Sequence, residues 1–113
     1  MDVVITGIGL MSPIGVDLET FWNNIASGRS GITHTTLFPG CAAPDQAGGQ
    51  VMEFTDDAAR KIYLKEHRKN LKAMCREIQL GVASAMQALQ QANLDLKTIN
   101  HERLGVEFGA NLM

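Results

Sequence analysis

Six residues near the amino terminus constrain this chain more than any other stretch. Val3-Val4-Ile5-Thr6-Gly7-Ile8 is an almost continuous apolar run rich in β-branched side chains. Without polar alternation, such a run predicts a strand buried on both faces, as in a parallel sheet. A Gly/Ser/Pro loop follows from Gly9 to Gly15. Asp17 is then a good N-cap for a helix carrying Leu18, Phe21, Trp22 and Ile25 at helical spacing, and Gly28 stops it.

From Ser30 to Gly49 the sequence is rich in Gly, Thr, Pro and Ala without a clear period, which predicts a long irregular connection around Pro39 and Pro44. Gln50 to Phe54 reads as a short strand, and Thr55 as the cap of a helical turn from Asp56 to about Tyr63. A long helix follows, with Leu71, Met74, Ile78, Val82, Ala85, Leu89 and Ala92 on its inner face. Lys72, Arg76, Gln79, Gln87 and Gln90 form the opposite, polar face, and Asn93 is a C-terminal stop. Leu104 to Gly109 reads as a second strand, in which Glu107 would be a costly buried carboxylate unless it faces an edge. The expected class is α/β in the order β-α-(irregular)-α-β, with both strands parallel through a right-handed crossover and the long helix on one face.

The length of 113 residues fits a single domain, and 45% apolar residues with a formal net charge of −2 describe an ordinary globular chain. No apolar run is long enough to span a bilayer, and Met1-Asp2 starts with an acid where a signal peptide carries positive charge, so a cytoplasmic protein is expected. Cys41, in a loop, and Cys75, in a helical pattern, are too few and too far apart for a disulfide framework or a Cys-x-x-Cys site. Gly7-Ile8-Gly9 follows a strand, but Ser12 and Pro13 break the dinucleotide fingerprint. Neither cysteine stands at a strand-to-helix elbow, and no motif ties His34, His67 or His101 to either, so structural roles are expected for all five. No metal, cofactor, nucleic-acid partner or membrane partner is expected.

Charge is unevenly spread. Lys61, Lys65, Arg68, Lys69, Lys72 and Arg76 are six of the ten basic residues, with Glu66 the only acid between them. From charge alone the stretch reads as a solvated helix face, or as a surface for an acidic partner.

The run Val3 to Gly15, then Phe21-Trp22 and Ser27-Gly28-Arg29-Ser30-Gly31-Ile32, resembles the N-terminus of the β-ketoacyl-acyl-carrier-protein synthases. Lys65-Glu66-His67-Arg68-Lys69, the long helix and Arg103 to Gly109 continue the likeness in the family's order. The resemblance implies the incomplete N-terminal portion of a thiolase-like α-β-α-β-α half, covering residues 1–113 and ending before the family's nucleophilic cysteine. It implies no catalytic residue within this chain and no cofactor. Lys65, Arg68, Lys69 and Lys72 would dock an acidic acyl carrier protein, and Leu112 falls near the family's apolar gate to the acyl pocket. The implied partners are the carrier protein and either the remainder of a ketosynthase or further copies in a homo-oligomer. The implied activity is decarboxylative condensation in fatty-acid or polyketide synthesis, with the chain inactive alone. The alternative is a non-catalytic module of the same descent that binds a carrier protein or another partner.

Overall fold

The computed structural model describes residues 2–37 and 44–109. Helix α1, Leu18–Ala26, starts where the Asp17 carboxylate accepts from the Thr20 backbone N–H at 2.8 Å. It ends in a Schellman arrangement: Gly28 adopts φ 69°, its N–H bonds the Ile25 carbonyl and the Arg29 N–H bonds that of Asn24. Gly28 is needed there because a side chain would strain the left-handed conformation. Both ends match expectation, yet α1 has no fully buried residue, and Trp22 is largely exposed.

The connection expected to be irregular contains the only paired strands among the described residues. β1, Ile32–His34, runs antiparallel to β2, Ala47–Gly49, in the register Ile32 to Gly49, Thr33 to Gly48 and His34 to Ala47. The Gln50 to Phe54 stretch is not a strand. It leads instead into Thr55, whose hydroxyl accepts from the Ala58 N–H at 3.1 Å and caps the short helix α2, Asp56–Ala58. The chain continues through a π-helical stretch, Ala59–Tyr63, closed by the Leu64 N–H on the Ala59 carbonyl.

Turns of 3₁₀ type then occupy Lys65–His67 and Leu71–Ala73, so the long helix α3 begins only at Arg76 and spans Arg76–Gln91. Met74 is extended, with ψ 124°, and breaks the helical path that the apolar spacing from Leu71 suggests. Asn93, at φ 54°, ends α3 in a second Schellman arrangement, with its own N–H on Gln90 and the Leu94 N–H on Leu89. The core gathers Phe54, Ala59, Leu64, Leu71 and Ala83, flanked by Met11, Val51, Tyr63, Met74, Leu80 and Val82. Phe54 and Leu64 are fully buried, each stabilising the fold by about 2–3 kcal/mol.

α3 is the central element. No residue from Gln79 to Leu89 is exposed, whereas Ile78, expected inside, is 49% exposed. Glutamines expected on a polar outer face instead reach backbone groups: Gln79 donates to the Leu71 and Met74 carbonyls, and Gln87 to that of Val16. Gln90 does face outward.

The two expected parallel strands are not formed. Val3 to Ile8 and Leu104 to Gly109 have no ladder partner, and Val3, Val4 and Ile5 are 94%, 73% and 83% exposed. The physical reason is that an isolated parallel pair is marginal without further strands beside it. The N-terminal segment lies against α3 instead. The Ile8 N–H donates to Gln91 and the Leu10 N–H to Gln87, while Gly7 and Gly9 approach so closely that a Cβ would strike the carbonyls of Ala88 and Ser84. Phe108 packs on Gly81 of the same helix, and Glu107 is exposed, which removes the expected cost of burying it. The radius of gyration, 16.1 Å, exceeds the roughly 13 Å of a closed domain of this length. The result is a small mixed helix-and-strand unit, coarsely α/β, with apolar segments uncovered.

Candidate functional site

The basic stretch is built on a chain of tight turns. His67 N–H bonds the Leu64 carbonyl, Asn70 that of His67 and Ala73 that of Asn70, each three residues back. Side chains three apart eclipse in such a path. Lys65 therefore falls in register with Arg68, and Lys69 with Lys72, giving two adjacent rows in place of the single helical stripe that 3.6-residue spacing predicts. All four side chains are exposed. The tightening follows from Leu71, which turns inward to fill the core beside Leu64.

The remaining members of the charge run have other tasks. Lys61 pairs with Asp57 at 3.0 Å, the only salt bridge among the described residues. Arg76 donates to the Phe54 carbonyl at 2.9 Å and to the Val51 carbonyl at 3.0 Å, and its guanidinium lies 5.6 Å from the centre of the Phe54 ring. It ties α3 to the segment before α2 and is not an outward-facing cation. Lys65, Arg68, Lys69 and Lys72 thus have no acidic partner among the described residues.

A cavity of about 290 Å³ lies beside the turns, lined by Asp56, Ala59, Arg60, Arg68, Leu71, Lys72 and Gln79. The Arg68 Nε–H donates to the Arg60 carbonyl at 3.0 Å, fixing one cation over the other's backbone. Arg60 is absent from the sequence-based set. Its adjacency to Lys61 was the available signal, but only the π-helical stretch brings it opposite Arg68. Lys65 and Lys69 do not line this cavity.

Cys75, expected at mid-helix, is the exposed N-cap of α3, and its side chain makes no capping hydrogen bond. Cys41 and the gate candidate Leu112 lie outside the described residues. His34 Nδ1 lies 3.1 Å from the Asp45 carbonyl, His67 is half-buried and His101 is exposed. Among the described residues no group of three or more His, Cys, Asp or Glu could hold a metal ion, and no helix is long and apolar enough to cross a membrane. Burial beside Phe54 raises the Tyr63 hydroxyl above its ordinary range, with the Glu53 and Asp17 charges adding to the effect. The Thr20 hydrogen bonds hold the Asp17 carboxyl below its ordinary value.

The sequence matches the family described as Beta-ketoacyl synthase, N-terminal domain, over residues 1–112. Similar curated proteins include 3-oxoacyl-[acyl-carrier-protein] synthase 2 of Synechocystis sp., 35% identical over 113 residues, which span 97% of this chain and 25% of that protein. The synthases of the same name from Coxiella burnetii and Vibrio harveyi are each 33% identical over 110 residues, with the same coverage. The chain therefore spans about a quarter of the length of the relatives it matches. By the extent of these matches, this chain belongs to the β-ketoacyl synthase family, matching its N-terminal domain over residues 1–112.

Proposed function

We propose that the chain is the opening part of a 3-oxoacyl-acyl-carrier-protein synthase, and that its basic turns dock an acidic acyl carrier protein. The observation carrying the docking role is the set of four exposed cations, Lys65, Arg68, Lys69 and Lys72, with no acidic partner among the described residues. Opposite charge on a partner would steer association and set register. In the whole protein a cysteine thiolate would take the acyl group and attack a malonyl unit as carbon dioxide leaves, which is nucleophilic covalent catalysis. The positions of this chain resemble no part of that nucleophile's setting, so the 113 residues alone are expected to be inactive.

Two measurements test this. Incubation with a labelled acyl thioester followed by intact-mass analysis should show no stoichiometric adduct on Cys41 or Cys75 and no ketoacyl product; turnover would refute the inactivity. Charge reversal at Arg68 and Lys69 should weaken acyl carrier protein binding, with the loss shrinking as salt rises. Unchanged affinity at low ionic strength would return these side chains to an ordinary solvated surface.

A further inference from the structure

The cavity beside the turns shares Arg68 and Lys72 with the docking set and adds Arg60 and an enclosed wall. Arg60, Arg68 and Lys72 line it with three positive charges, and Asp56 supplies one negative charge. The only salt bridge among the described residues is Lys61 with Asp57, so Asp56 neutralises none of the three directly. The net charge of +2 on the wall matches a phosphate monoester, which carries about −1.5 to −2 near neutral pH, better than it matches a carboxylate.

Local geometry favours the same ligand. The Arg60 carbonyl occupies the Arg68 Nε–H, and the terminal guanidinium nitrogens have no hydrogen-bond acceptor among the described residues, so they are available to an oxyanion. Gln79 closes the wall with its amide committed to the Leu71 and Met74 carbonyls. Ala59 and Leu71, both buried, give an apolar floor on which a short carbon stem can rest. At about 290 Å³ the space suits a ligand of a few carbons and one phosphate. We infer that this cavity binds a small organic phosphate monoester, held by Arg60, Arg68 and Lys72.

Arg68 and Lys72 serve both readings, but Lys65 and Lys69 are off the cavity wall and Arg60 is outside the docking set, so the two can be tested separately. The test uses the full chain titrated with propyl phosphate at constant ionic strength, followed by calorimetry and by the NMR resonance of the Arg68 Nε–H. Saturable binding that moves this resonance is expected. Arg60→Gln and Lys72→Gln should each weaken it about tenfold, whereas Lys61→Gln, which removes the same charge one residue away, should leave it unchanged. Butyrate should bind about tenfold more weakly than propyl phosphate. Far-UV circular dichroism checks folding, and exposed Lys72 provides the second variant if Arg60→Gln does not fold. An equal loss in Lys61→Gln, butyrate binding as well as propyl phosphate, or no saturation in the millimolar range would each overturn the assignment. Carrier affinity left unchanged by charge reversal at Lys65 and Lys69, with propyl phosphate binding intact, would refute the docking role alone.

Discussion

Replacing Arg76 with glutamine removes two charge-assisted hydrogen bonds, to the Phe54 and Val51 carbonyls at 2.9 and 3.0 Å, and a cation held 5.6 Å from the Phe54 ring. Each bond contributes about 1.5–3 kcal/mol net, and the ring contact about 0.5–1 kcal/mol. Arg76 is only partly buried, so water recovers some of the lost bonding and the expected cost is about 3 kcal/mol. That is a large share of the ~5–15 kcal/mol by which native domains are stable. With a urea m-value near ~1.5 kcal/mol/M, the midpoint should fall by about 2 M. Arg76→Lys should recover little, because an ammonium cannot span two carbonyls as a planar fork does. Urea titration followed by circular dichroism at low protein concentration reads the shift. A midpoint change under about 0.3 M for Arg76→Gln, or full rescue by lysine, would refute the clamp.

Three further outcomes follow from the fold. The exposed Val3, Val4 and Ile5 should drive concentration-dependent self-association in sedimentation velocity, and Ile5→Asp should reduce it; a monomer at all concentrations would show these segments to be covered. Cys75 caps α3 without a side-chain bond to the helix backbone, so Cys75→Asp should raise stability by about 1 kcal/mol, and an unchanged melting temperature would argue against the cap. Because the folded-state carboxyl of Asp17 titrates below its ordinary range, its stabilisation of α1 is complete above the unfolded-state value and is lost as pH falls through the folded one. Asp17→Asn should flatten that acid-side loss of helicity, and an identical pH profile would refute the role of the cap.

Helix ends were readable because their determinants are local. Asp17, Thr55, Gly28 and Asn93 each act on backbone groups within a few residues, and all four do so in the structure. Strands were not readable in the same way. Val3 to Ile8 has strong strand character, but forming a strand requires a neighbouring ladder, and none is present among the described residues. The converse holds for β2, Ala47–Gly49, whose Ala-Gly-Gly sequence has weak strand preference yet pairs with β1. The early start assigned to α3 came from Leu71 and Met74, since an i, i+3 spacing does not distinguish a 3₁₀ turn from an α-helix. At the candidate site, the exposure of Lys65, Arg68, Lys69 and Lys72 followed from charge. The role of Arg76 did not, because its acceptors are backbone carbonyls 22 and 25 residues earlier.

The glutamine contacts to the N-terminal segment have a consequence for its exchange with solvent. Gln91 and Gln87 accept from the N–H groups of Ile8 and Leu10, which share one side of an extended backbone, while Gly7 and Gly9 meet α3 through close packing. Amide deuteration should therefore alternate along the segment, slow at Ile8 and Leu10 and fast through the exposed Val3, Val4 and Ile5. A strand adding to that side would have to displace two side-chain amides before gaining its own ladder bonds. Gln87 and Gln91 thus hold both donors satisfied from the helix side.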